Sequence, residues 1–102
     1  MKHLKGAIHY FHSHLDEIAN FLFQAENIDH PAVTPQELRG NRIQIQDNES
    51  RSYVCIHYAD RKLKRVRAVE FCLNNEPSII DRWIDHIVRE LKIQPKRLSN
   101  QS

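Results

Sequence analysis

Two strand-like runs joined by a strongly basic segment constrain the fold of this chain most. Residues 53–58 and 66–73 are rich in β-branched and aromatic side chains, and the short polar segment between them predicts an antiparallel hairpin. Five of the seven residues at positions 61–67 are basic, namely Arg61, Lys62, Lys64, Arg65 and Arg67. Like charges this close together repel, which a purely structural turn would avoid. This basic hairpin (residues 60–67) therefore indicates an anionic partner: lipid phosphates, nucleic acid or an acidic protein surface.

The N-terminal half has a different pattern. Apolar residues recur there at three- and four-residue steps: Ile8, Phe11, Leu15, Ile18, Leu22 and Ala25. This spacing predicts an amphipathic helix over residues 7–25. Residues 26–41 are polar and contain Pro31, Pro35 and Gly40, so we expect mainly loop there. Residues 42–46 alternate between polar and apolar and predict a short strand with one buried face.

A second helix is predicted over residues 78–91. Pro77 precedes it, its isoleucines share one face with Trp83, and Pro95 follows it. Trp83 is expected to anchor this helix in the core. The element order is then α-β-β-β-α, an α+β fold in which a small antiparallel three-stranded sheet (residues 42–73) packs against N- and C-terminal helices.

Length and composition fit one small domain over residues 1–98, with a frayed tail over residues 99–102. A chain of 102 residues suffices for a single core, and a charged content of 27% is ordinary for a globular domain. Residues 1–50 carry 4 basic against 7 acidic residues, whereas residues 51–102 carry 11 against 6. No signal peptide and no apolar run of ~20 residues is visible. These features predict a cytoplasmic protein, with peripheral membrane attachment as an option.

Groups with catalytic or metal-binding chemistry are few. Cys55 and His57 share one side of a predicted strand, but no acid that would orient His57 can be identified. His12 and Asp16 have a spacing that can hold a metal on a helix, and whether they do so is left open. Cys72 and Cys55 are expected to be reduced thiols rather than a disulfide. No glycine-rich phosphate loop is visible either, so nucleotide binding by a backbone cradle is not expected. With no catalytic constellation identified, the sequence predicts no enzyme, no cofactor and no assigned metal site.

Several motifs of the second half are similar to those of a known family. They are residues 53–58, the basic hairpin, residues 69–72 (Val-Glu-Phe-Cys), Trp83, residues 89–91 (Arg-Glu-Leu) and residues 95–98 (Pro-Lys-Arg-Leu). Over residues 52–98, less than half of the chain, this pattern resembles the pleckstrin-homology-like segment that precedes the catalytic domain of ceramide and sphingosine kinases. The resemblance implies a lipid-directed segment without kinase activity. The family's Asn-Pro and Gly-Gly-Asp-Gly motifs would follow Leu98, where this chain reads Ser-Asn-Gln-Ser.

These observations predict a non-catalytic binding module that docks the basic hairpin on anionic phosphates, with a membrane surface as the favoured location and Leu63 as an apolar wedge. A double-stranded-RNA-binding module is an alternative, because such domains share the α-β-β-β-α order. A protein-interaction or oligomerisation domain is another. It would use the first predicted helix, where Phe21 and Phe23 lie off the apolar stripe.

Overall fold

A six-stranded antiparallel sheet forms the framework of residues 7–74 and 76–97, the part of the chain that this computed structural model describes. The elements are β1 (Ala7–Phe11), α1 (Leu15–Leu22), α2 (Ala25–Ile28), β2 (Val33–Leu38), β3 (Arg42–Asp47), β4 (Tyr53–Asp60), β5 (Arg65–Leu73), α3 (Ile79–Leu91) and β6 (Lys96–Arg97). The strand order is β2-β3-β4-β5-β1-β6. Strands β2 to β5 thus form a meander, and β1 closes against β5.

One face of this sheet carries the core. Alternate residues of the central strands, such as Val54, Ile56 and Phe71, have no exposed surface. They belong to one apolar cluster together with Ile18 of α1 and Ile84 of α3. Because the buried side chains of α1 and α3 join this single cluster, both helices lie on the same face of the sheet. The opposite face has no helical cover within the described residues.

Helix α3 lies where the sequence predicts the final helix. Ser78 and Asp81 form a capping box, in which the Ser78 hydroxyl accepts the Asp81 N–H at 3.4 Å and the Asp81 carboxylate accepts the Ser78 N–H at 3.1 Å. Trp83 is 4% exposed and anchors the helix in the core. At 13 residues α3 is the longest described helix. Among the described residues, no helix has the length and apolar character needed to cross a membrane.

The predicted α-β-β-β-α fold with a three-stranded sheet is wrong, although the α+β class is confirmed. Residues 7–25 do not form one helix, because residues 7–11 form β1 instead. Strand β1 pairs with β5, with Phe11 opposite Val69. His14 then adopts a left-handed conformation (φ 56°) just before α1. Local apolar spacing could not reveal a strand partner about 60 residues away in the chain.

The expected loop over residues 26–41 instead contains α2 and strand β2. β2 lies at the edge of the sheet and pairs only with β3 among the described strands. Pro35 lies within β2, and an edge strand tolerates proline because one side of its backbone needs no ladder partner. Gly40 and Asn41 turn the chain into β3 with positive φ angles of 79° and 58°. The same residues that suggested a loop therefore fit an edge hairpin.

Candidate functional site

The tip of the basic hairpin is a closed turn with its own hydrogen bonds. Asp60 ends β4 and pairs with Arg65, the first residue of β5. The Asp60 carboxylate accepts the Leu63 N–H at 3.1 Å, and the Lys64 N–H donates to the Arg61 carbonyl at 3.2 Å. Lys64 itself has a left-handed backbone (φ 56°). These contacts give the tip a defined backbone from which its side chains project.

The five basic residues of the hairpin differ in their surroundings. Lys62, Lys64, Arg65 and Arg67 are exposed. Arg61 is anchored instead, because its Nη2 lies 3.2 Å from the Glu37 carboxylate and its guanidinium lies 5.5 Å from the centre of the Tyr58 ring. The Glu37 side chain is 73% exposed, so the ion pair contributes little stability. The four exposed cations are therefore the ones most accessible to an anionic partner.

Leu63 is the only large hydrophobic side chain classed as exposed among the described residues, with 62% of its surface in contact with solvent. It lies on the turn between Lys62 and Lys64. Most of this leucine is therefore not packed within the domain. Its apolar surface is available to a partner that the flanking lysines would reach at the same time.

A cleft of about 540 Å³ opens beside the hairpin, between α1 and strands β3 to β5. Ile43 and Tyr58 contribute to its lining, and Arg61 and Lys64 border it. Burial raises the pKa of the Tyr58 hydroxyl, and the nearby Arg61 opposes this only in part, so the ring stays uncharged. Asp16 of α1 also lines the cleft and offsets part of its positive charge. The hairpin thus combines an exposed tip with a concave, partly apolar flank.

On the uncovered face of the sheet, the structure supplies the acid that the sequence did not reveal beside His57. Glu70 of β5 lies opposite Cys55 in the strand register, and its carboxylate is 2.9 Å from His57 Nε2. Burial raises the pKa of the Cys55 thiol, Glu70 raises it further, and Arg42 lowers it only in part. A thiol held in its protonated form is a poor nucleophile, so this geometry does not favour nucleophilic catalysis. Both Cys55 and Cys72 are free thiols.

The His-rich segment that suggested a metal site is not arranged on one helical face. His9 lies in β1 and is 3% exposed. The exposed His12 follows β1, and its ring stacks on Tyr10 at 5.7 Å between ring centres. Asp16 belongs to α1. His12 and Asp16 therefore do not lie on one helix, which the predicted metal-binding spacing required.

Helix α1 does not present the partner surface that the sequence predicts for the first helix. Ile18 and Leu22 are fully buried, and the predicted stripe does not continue along a single helix. Phe21 stacks on His86 of α3 at 4.3 Å between ring centres. Phe23 packs partly against the core and lines the cleft. The two phenylalanines are half-buried rather than exposed.

No protein-family model, curated protein or solved structure matches this chain. The resemblance to the segment before the catalytic domain of ceramide and sphingosine kinases stays a prediction. Its motifs lie in β4, the basic hairpin, β5, α3 and β6, while Leu98 and the predicted frayed tail over residues 99–102 lie outside the described residues.

Proposed function

We propose that this chain is a non-catalytic binding module that docks its basic hairpin on the phosphates of anionic lipid at a membrane surface. The observation that carries the proposal is the exposed Leu63 between two lysines on a turn with a defined backbone. At a membrane interface the leucine enters the acyl region while Lys62 and Lys64 remain at the phosphates. Double-stranded RNA, the nucleic-acid alternative, would use the same cations but presents mainly phosphates and 2′-hydroxyls to a bound protein, which gives the leucine little apolar surface.

The expected affinity is modest. Each cation near an anionic surface contributes about 1 kcal/mol, and burying a leucine contributes about 1.5–3 kcal/mol. The four exposed cations and Leu63 together, after subtraction of the free energy of immobilising their side chains, contribute a binding free energy of about 5 kcal/mol. This corresponds to a dissociation constant on the order of 0.1 mM. The module would therefore attach reversibly, as a peripheral protein on the cytoplasmic leaflet, where anionic lipid is concentrated.

The two other functional classes have weaker support. The RNA-binding alternative was suggested by an α-β-β-β-α order that the six-stranded sheet replaces, so only the hairpin cations still favour it. The oligomerisation alternative used an apolar stripe whose Ile18 and Leu22 are now in the core. Leu63 favours a membrane over both.

A direct comparison of partners tests the proposal. The protein is sedimented with vesicles of phosphatidylcholine alone, with vesicles that also contain phosphatidylserine, and separately mixed with a short RNA duplex at the same salt concentration. Binding to the serine-containing vesicles alone, weakened by added salt, is the expected result, because screening acts on exposed charges. Duplex binding without vesicle binding would overturn the proposal.

A further inference from the structure

Three metal-ligating side chains converge on the uncovered face of the sheet, on the opposite side from the helices. Cys55 and His57 are alternate residues of β4 and so point to the same face. Glu70 of β5 is directly opposite Cys55 in the register. One potential ligand atom from each of the three side chains lies within 4.8 Å of the other two. Long-range strand pairing builds this cluster, which no single stretch of sequence contains.

The donor atoms match the preferences of one common cation. Thiolate, imidazole and carboxylate are all ligands of Zn²⁺, at about 2.0–2.3 Å from the metal. Two ligands of a tetrahedral zinc ion are then roughly 3.2–3.8 Å apart. The separations in the cluster, 2.9 Å between His57 Nε2 and Glu70 Oε1 and at most 4.8 Å elsewhere, need side-chain adjustments of only about 1 Å.

The surroundings and charges of these three side chains also favour the binding of a cation. His57 and Glu70 are each 15% exposed and Cys55 is 3% exposed, so solvent screens them little. The Nδ1 of His57 is buried and has no hydrogen-bond partner among the described residues. Glu70 lies directly opposite Cys55, so a thiolate at Cys55 and the Glu70 carboxylate would be two anions close together. A divalent cation removes that repulsion by neutralising the carboxylate and the thiolate together.

We propose that Cys55, His57 and Glu70 form a Zn²⁺ site with three protein ligands and one coordination position open to the uncovered face of the sheet. Sites with three protein ligands leave the fourth position to water or to a small anionic ligand. The site is independent of the basic hairpin and of its membrane partner.

Cys72 provides a matched control. It lies two residues after Glu70 on the same face of β5, yet it is not a member of the cluster. It lies directly opposite Tyr53 in the register of β4 and β5 instead. The chain thus offers two cysteines in similar strand environments, of which only Cys55 is placed to bind the ion.

Titration with Co²⁺, as a spectroscopic substitute for Zn²⁺, tests the site. The metal-free, reduced protein should bind one Co²⁺ per chain with near-ultraviolet thiolate-to-cobalt absorption, which Zn²⁺ then abolishes by displacement. Histidines elsewhere in the chain cannot produce this absorption, because it requires a thiolate ligand. The wild-type titration alone decides the matter if a variant fails to fold: absence of the absorption contradicts the proposal.

The variants assign the ligands. Cys55→Ser should abolish the absorption, whereas Cys72→Ser should retain it with unchanged affinity. His57→Gln and Glu70→Gln should weaken Co²⁺ binding at least about tenfold, since even groups outside the first coordination sphere have effects of that size. Circular dichroism confirms that each variant is folded. Loss of the absorption in Cys72→Ser, or its survival in Cys55→Ser, would overturn the proposed site.

Discussion

Asp47 joins the turn after β3 to the first residue of α3. It is 5% exposed, and its Oδ1 accepts the N–H groups of Glu49 at 2.8 Å and Ser50 at 2.9 Å. Its Oδ2 accepts the Ile79 N–H at 3.3 Å. Burial by itself raises the pKa of this carboxyl, but the backbone N–H donors outweigh burial and hold the pKa below its usual value. One ionised side chain thus fixes two elements relative to each other.

The lowered pKa of Asp47 makes the free energy of unfolding depend on pH. Because the pKa of Asp47 is lower in the folded than in the unfolded chain, its contribution is fully present above the unfolded pKa of about 3.9. That contribution is lost as the pH falls through the folded pKa. Asp47→Asn should lower the free energy of unfolding by about 1.5–3 kcal/mol at pH 7, and by less at pH 3, in urea titrations. A matched change at the exposed Asp29, to Asn, should stay within about 0.5 kcal/mol. An equal loss for Asp47→Asn at both pH values would contradict the charge-based account.

The turn between β2 and β3 shows how an element depends on one backbone conformation. Gly40 has φ 79°, a region that L-residues with a Cβ rarely adopt. A Cβ added at Gly40 would meet the Arg42 Nε at 3.7 Å, an ordinary contact, so space is not the limitation.

Gly40→Ala should therefore destabilise the protein by about 1 kcal/mol through backbone strain alone. Gly40→Asn should cost less, because asparagine tolerates the left-handed region better than alanine does. Urea unfolding of the two variants measures the difference. Equal or greater stability of the alanine variant would show that the turn does not require a positive φ at this position.

The elements differ in how far the sequence could predict them. Strands β3, β4 and β5 and helix α3 follow from local alternation, turn residues and capping groups, which lie close together in the chain. Strand β1 could not be predicted, because its identity depends on pairing with β5 and its apolar spacing also fits a helix. Strand β2 was obscured by Pro35, which is compatible with a strand only once the edge position is known.

The candidate sites, too, could be predicted only where their residues are close together in the chain. The basic hairpin was visible in the sequence because its cations and Leu63 are contiguous. The acid beside His57 was not visible, because Glu70 lies 13 residues further on and reaches it only through the register of β4 and β5. The contact between Arg61 and Glu37 could not be predicted either, because Glu37 lies 24 residues earlier in the chain.

The core, the metal-ligating cluster and the basic hairpin lie in three different parts of the molecule. The helices and core occupy one face of the sheet, the Cys55–His57–Glu70 cluster lies on the other, and the basic hairpin extends from one end of β4 and β5. The turn that contains Arg51 precedes β4 and so lies at the opposite end of that strand. Although the net charge of the chain is only +2, the hairpin end can present a concentrated positive surface.

The most direct test of the central claim compares charge at the hairpin with equal charge elsewhere. One triple variant changes the exposed Lys62, Lys64 and Arg65 to Gln, and Arg61 is kept because it contacts Glu37. The control triple variant changes Arg51, Arg82 and Arg89 to Gln. These three side chains are also exposed, so both variants lose the same net charge. Leu63→Gln tests the apolar contact separately.

Sedimentation with phosphatidylserine-containing vesicles supplies the measurement. At about 1 kcal/mol per cation, the hairpin triple variant should lose about two orders of magnitude in affinity, and Leu63→Gln should lose about tenfold. The control triple variant should bind nearly as the wild type does. Unchanged binding of the hairpin triple variant, or an equal loss in the control, would contradict the account that the basic hairpin is the docking surface.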